Sequence, residues 1–243
     1  MRRPQPLLAL LLLLCCPWAN TRALRGWITG GHEAQPHSHP YMAYLKSGRF
    51  FCGGFLVAPS WVMTAAHCLG NITVVLGAHN INEPETTQQI RGVLRYHPHP
   101  EYDPKTLSND IMLLKLTAKA TLNKYVKTIK LPKTCRDLRT GTRCSLAGWG
   151  RTDEDQETDK LFETKVSIYS RRKCICLYPG LNNGMVCAGS FHELNDSSQG
   201  DSGGPLVCKN VAEGIVSFGY KNAPGVYARV ANYLPWIRKT MKK

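Results

Sequence analysis

The 243-residue chain reads as an all-β domain of the barrel or sandwich type that ends in a short helix. Three observations carry that expectation. Short runs rich in Val, Ile, Leu and aromatics recur along the chain, Gly, Pro, Asn and Asp separate them, and only the last residues show a helical apolar spacing. The length suits one domain with a sizeable core, and 43% hydrophobic against 20% charged residues excludes a disordered chain.

In chain order, residues 1–23 begin with Arg2 and Arg3, pass through an apolar stretch from Leu7 to Cys16, and reach the small-x-small site Thr21-Arg22-Ala23. That is the pattern of a signal peptide, and its apolar run is too short to span a bilayer. No later segment is apolar enough to do so. The expected product is secreted, with residues 24–27 as a short propeptide and residues 28–243 as the mature domain.

Strands are expected from Phe51 to Val57, Trp61 to Ala66, Ile72 to Gly77 and Ile111 to Leu116, then from Cys144 to Trp149, Phe162 to Tyr169, Leu206 to Lys209, Gly214 to Phe218 and Val226 to Val230. In the tail, Tyr233, Trp236, Ile237 and Met241 fall near one helical face. Arg238, Lys239, Lys242 and Lys243 lie elsewhere or at the C-terminal end, where cations suit the helix dipole.

Of ten cysteines, Cys15 and Cys16 leave with the leader. An even remainder in an oxidising route favours disulfides over metal ligation, but the number leaves the pairing open. Removing Arg2, Arg3, Arg22 and Arg25 from 31 basic residues leaves 27 against 17 acidic ones, a charge of +10. Such a balance suits acidic glycans, and equally suits lysines scattered for solubility. Nucleic acid is a weaker candidate, because no recognition helix or aromatic-basic stacking motif is present.

The chemistry centres on Gly200-Asp201-Ser202-Gly203-Gly204-Pro205, where small residues surround one hydroxyl on a tight turn. A serine needs a neighbouring base to attack, and the base an orienting acid. Thr64-Ala65-Ala66-His67-Cys68 supplies the first and Ser108-Asn109-Asp110-Ile111-Met112-Leu113-Leu114 the second. With the order His, Asp, Ser, the chain from about Ile28 to its end resembles the chymotrypsin-like serine proteases. The resemblance implies two six-stranded antiparallel β-barrels, the first over about 28–130 and the second, with the helix, over about 131–243. His67 and Asp110 would sit on the first and Ser202 on the second, with catalysis in the cleft.

It also implies roles. His67 would take the Ser202 proton and return it to the leaving amine, Asp110 would hold the second ring nitrogen, and the N–H groups of Gly200 and Ser202 would form the oxyanion hole. Asp201 would pair with a new α-amino group at Ile28, in Ile28-Thr29-Gly30-Gly31, once the propeptide is removed. Here Thr29 stands where the family usually carries Ile or Val, and Trp27 precedes the cut where trypsin-like zymogens have Arg or Lys. Cleavage after Ala23 would leave Leu24-Arg25-Gly26-Trp27, two dipeptides within reach of a dipeptidyl peptidase. A cut after Arg25 would leave Ile28 unable to insert.

Asp196 falls at the floor of the family's primary specificity pocket, beside Ser197, with Ser217, Gly219 and Gly225 on its walls. A carboxylate there selects Arg or Lys. Ser198 replaces the usual pocket cysteine, which implies an unstapled pocket and narrow cleavage, while Ser217-Phe218-Gly219 would receive the substrate backbone as an added strand. The pairings implied are Cys52 with Cys68, Cys144 with Cys208, and Cys174 with Cys187. Cys135 and Cys176 are left to form a fourth bridge, pair with another chain, or stay free.

The segments His32-Glu33-Ala34, Pro36-His37-Ser38-His39-Pro40-Tyr41-Met42, Leu76-Gly77-Ala78-His79-Asn80-Ile81 and Leu234-Pro235-Trp236-Ile237 are similar to those of granzymes and mast-cell proteases. Storage in granules on acidic proteoglycan is what that similarity implies. Asn71 and Asn195 head glycan sequons, with Asn71 the expected site. His97-Pro98-His99 reads as a loop, and no cofactor or metal is called for. Two other readings stand beside an Arg/Lys-directed endopeptidase: a heparin-binding or antimicrobial pseudoprotease, against which the intact His67, Asp110 and Ser202 argue, and chymase-like specificity, against which Asp196 argues.

Overall fold

The computed structural model describes residues 31–150, 158–189, 201–220 and 223–242. It opens on a two-residue strand, β1 (His32–Glu33), followed by β2 (Met42–Ser47), β3 (Phe50–Ala58), β4 (Trp61–Thr64), β5 (Thr73–Leu76), β6 (Gln89–Pro98) and β7 (Met112–Leu116). Strands β2 to β7 close into an antiparallel barrel in the order β2-β3-β4-β7-β6-β5. The second set is β8 (Arg143–Gly148), β9 (Phe162–Ile168), β10 (Met185–Gly189), β11 (Pro205–Cys208), β12 (Val211–Phe218) and β13 (Gly225–Arg229). These run β9-β10-β13-β12-β11-β8, and pairing of β8 with β9 closes the second six-stranded barrel.

The expected strands are present with ends moved by a few residues, and the two-residue β1, together with β2, β6, β10 and one helix, is additional. Their sequences explain why they were hard to read. In β2, Ala43 and Leu45 enter the first barrel's core while Met42 and Tyr44 pack with Trp149 of the other half. With both faces covered, the polar-apolar alternation that marks a strand is gone. In β6, Arg91, Gly92 and Arg95 interrupt the apolar residues, and Ile90 and Leu94 are exposed. In β10, Met-Val-Cys-Ala-Gly is short and wholly buried.

The added helix, α1 (Arg171–Leu177), corrects the expectation that only the tail is helical. It has no acid in its first turn and buries only Cys174, so its own sequence gives it little support. Tertiary links hold it: the Cys174–Cys187 disulfide, and Arg171, whose Nη1 and Nη2 donate to the carbonyls of Asn182 (2.9 Å) and Met185 (2.7 Å). Cys52–Cys68 and Cys144–Cys208 are also bonded, and Cys135 and Cys176 are free and exposed.

The expected tail helix is α2 (Leu234–Met241), with Pro235 in its first turn and Leu234, Ile237 and Thr240 buried. Both ends of the described chain cross to the opposite half. β1 pairs with β9 (His32↔Glu163, Glu33↔Phe162), and the rings of Tyr233 and Trp236 lie 5.4 and 5.1 Å from that of His99 in the first half. One apolar core accordingly runs through the molecule, joining Leu45, Phe55 and Leu114 to Val207, Ile215 and Ile237. No helix among the described residues is long and apolar enough to cross a membrane.

Candidate active site

β4 ends at the buried Thr64, and after the buried Ala65 the chain tightens into a 3₁₀ turn at Ala66–Cys68 that carries His67. The Cys52–Cys68 bond ties this turn to β3. Asp110 lies just before β7 and is 1% exposed. Its Oδ1 accepts the His67 backbone N–H at 3.0 Å, and its Oδ2 lies 2.7 Å from His67 Nδ1 and accepts the Ser217 hydroxyl at 2.5 Å. An ionised carboxylate offers only acceptors, so Nδ1 carries the proton and Nε2 is the nitrogen left to act as a base. Burial pushes the Asp110 pKa up, but the His67 hydrogen bond and charge and the Ser217 hydroxyl outweigh it, and the net shift is downward.

Ser202 stands on the turn that leads into β11, with Asp201 buried before it. Gly53 N–H donates to the Ser202 carbonyl at 2.8 Å, Gly203 N–H to Val216 O at 2.9 Å, and Gly204 N–H to Asp201 O at 2.8 Å. Gly203 has φ +83°, and a Cβ there would reach to 2.5 Å from Gly53 O and onto the Thr64 hydroxyl. Only glycine lets the serine turn rest against β3. The Ser202 carbonyl is 3.6 Å from Cys68 Sγ, and a His67 ring nitrogen lies within 4.8 Å of both sulfurs of that disulfide. The three segments expected to carry the triad therefore converge around one cystine. Because its sulfurs are bonded to each other, Cys52, His67 and Cys68 are no metal site.

Asp201 is 2% exposed, and its Oδ1 accepts Gly150 N–H at 3.1 Å. A Cβ at Gly148 would overlap that same oxygen, so glycine at the end of β8 leaves the room this carboxylate occupies. Ile28, Asp196, Ser197 and Gly200 lie outside the described residues. Of the other expected pocket residues, Gly219 is buried just after β12 and Gly225 starts β13. Ser217 sits in the β12 irregularity between Val216 and Phe218, with its hydroxyl on Asp110. Asn71 is exposed.

Two features escaped the sequence reading. Ser217 was legible as a wall residue but not as a partner of the acid, because nothing in Val216-Ser217-Phe218 marks which way its hydroxyl turns. Tyr178, with no motif around it, braces the two chain segments beside Gly219 and Gly225. Its hydroxyl donates to Pro224 O at 2.8 Å and accepts Tyr220 N–H at 3.1 Å, and its ring stacks on Tyr220 at 4.9 Å.

Comparison with known proteins agrees with this geometry. The family model described as Trypsin matches residues 28–237. Duodenase-1 of Bos taurus is 48% identical over 96% of this chain and 96% of its own. Cathepsin G of Homo sapiens is 46% identical over 98% of this chain and 95% of its own, and granzyme H of Homo sapiens 45% identical over 98% and 99%. The solved structure described as "Structure of GrC" superposes with a TM-score of 0.84 at 43% identity, covering 88% of this chain and 99% of that one.

Proposed function

Because the chain belongs to the trypsin family of serine proteases and is of the granzyme and cathepsin G kind, we propose that it cuts peptide bonds after Arg or Lys with His67, Asp110 and Ser202 as its triad. His67 Nε2 takes the Ser202 proton as the hydroxyl oxygen attacks the scissile carbonyl. The oxyanion is held by the N–H groups of Gly200 and Ser202. Collapse of this intermediate breaks the C–N bond, the His67 proton passes to the departing amine, and an acyl-enzyme remains. Water, deprotonated by His67, then releases the acid product.

The single observation that supports this reading is the buried carboxylate of Asp110 gripping both the ring and the backbone of His67. Asp196 is the acid proposed to select the basic side chain, with Gly219 and Gly225 leaving room for it. Asp201 is proposed to pair with the α-amino group of Ile28 after the propeptide leaves. An α-amino group has an ordinary pKa of about 7.7–8.0, and an ion pair raises it. The latch is thus complete below that range and is lost as pH rises through the folded value. Secretion or granule storage, a glycan on Asn71 and retention on acidic proteoglycan complete the proposal. The +10 charge of residues 28–243 favours the last, with binding that weakens as salt rises.

The test is hydrolysis of Lys, Arg, Phe and Leu ester substrates by protein beginning at Ile28, with Ser202→Ala as control. Turnover of the Lys and Arg esters alone, abolished in the control, is expected. Preference for Phe or Leu would overturn the role of Asp196, and activity surviving in Ser202→Ala would overturn the triad.

A further inference from the structure

The segment that presents Asp110 has an unfavourable backbone shape and is contacted by the opposite half of the molecule. Leu107 has φ 53° and Asn109 φ 57°, so two residues with side chains adopt the left-handed conformation within three positions of the acid. Local bonds account for part of this: Asn109 Nδ2 donates to Glu101 O at 2.8 Å, and Ile111 N–H donates to Asn109 O at 2.8 Å. So do Asp103 N–H, which donates to Ser108 O at 3.1 Å, and Thr106 Oγ1, 3.0 Å from Ser108 Oγ; further contacts come from the second half. The Tyr233 hydroxyl lies 3.3 Å from both Asn109 Oδ1 and Gly184 O, and Asn182 Nδ2 donates to Ser108 Oγ at 3.1 Å.

These partners are themselves fixed. Asn182 Oδ1 accepts Gly184 N–H at 2.9 Å, and Arg171 holds the carbonyls on either side of the same turn. A Cβ on Gly184 would fall on the Tyr233 hydroxyl and lie 3.1 Å from Asn182 Oδ1. Glycine is therefore what allows tyrosine and asparagine to meet there. Tyr233 is 3% exposed, and its pKa is pushed up to about 12, first by burial and then by the charge of Asp110. The hydroxyl is thus a neutral donor.

We infer that Tyr233 and Asn182 are positioning residues for catalysis: they reach from the second barrel to Asn109 and Ser108 and hold Asp110 at the angle that orients His67. The inference rests on the proposed role of Asp110 but is separable from it. It assigns to the junction of the two barrels the task of setting the acid, so that the acid is in register only when both halves are docked.

The test compares Tyr233→Phe, Asn182→Ala and Asp110→Asn in the mature enzyme, reading kcat, KM, the melting temperature and the low-field NMR proton signal of the His67–Asp110 hydrogen bond. Loss of one neutral hydrogen bond changes an equilibrium about two- to tenfold. We expect Tyr233→Phe and Asn182→Ala each to lower kcat within that range with KM unchanged, and to shift or broaden the low-field signal. Asn182 is exposed, so its variant carries the test even if Tyr233→Phe does not fold. Wild-type kcat and an unmoved signal in the folded variants, with Asp110→Asn inactive, would overturn the inference while leaving the acid's role intact. An active Asp110→Asn would instead overturn the acid's role.

Discussion

Asp110 shows how one side chain can carry a site. Its two oxygens accept three hydrogen bonds, two from His67 and one from Ser217, with essentially no solvent contact. Replacing it with Asn keeps the shape but offers Nδ1 a donor on one side, which favours the wrong imidazole tautomer. We expect kcat to fall about 10⁴-fold in Asp110→Asn, measured on a Lys ester. Ser217→Ala removes a hydrogen bond to a charged group, worth about 1.5–3 kcal/mol, and we expect a loss of both stability and kcat. The pH dependence follows from the lowered pKa of Asp110. A depressed carboxylate stabilises the fold above its unfolded pKa, and that contribution is lost as pH falls through the folded value. Acid unfolding curves of the wild type should therefore contain a step below the ordinary Asp range that Asp110→Asn lacks.

At the scale of elements, turns and braces set the site more than regular strands do. Gly203→Ala would force a positive φ on a residue with a Cβ and drive that atom into β3, at a cost of roughly 1–3 kcal/mol for the backbone alone. Thermal melts and ester assays should show a destabilised, nearly inactive enzyme. Tyr178→Phe removes the hydroxyl that bridges Pro224 O and Tyr220 N–H, leaving backbone groups unpaired at a cost of about 1–3 kcal/mol. KM for a Lys or Arg substrate should rise several-fold with kcat little changed. The strands richest in β-branched residues, such as β5 (Thr-Val-Val-Leu), were legible because propensity and packing agree there. Strand β2 was not, since cores on both faces erase its alternation, nor was α1, which is held by a disulfide and by Arg171. The three segments proposed to carry the triad were readable because each sits in a local motif. Tyr178, Tyr233 and the Ser217 hydroxyl act across the fold, and no local pattern marks them.

Across the whole molecule, stability is shared between the halves. The Cys144–Cys208 bridge closes a separation of 64 residues, and replacing both cysteines with Ser should cost about 2–5 kcal/mol, readable from guanidinium unfolding. No disulfide among the described residues ties one barrel to the other: Cys52–Cys68 lies in the first half, and Cys144–Cys208 and Cys174–Cys187 in the second. What joins them includes the common apolar core, the bonds of Ser217 to Asp110 and of Gly53 to Ser202, the polar junction around Asn109, and the exchange by which β1 joins β9 while α2 leans on His99.

That exchange bears on what a single proteolytic nick would do. Between β7 and β8 runs an irregular connection whose Lys124, Lys127, Lys130 and Lys133 are all exposed to solvent and to any protease that favours basic residues. Scission there yields two pieces, each still hooked over the other by its far terminus. The severed enzyme would migrate as one species and keep working in native buffer, and would come apart into fragments only in denaturant, without any reductant.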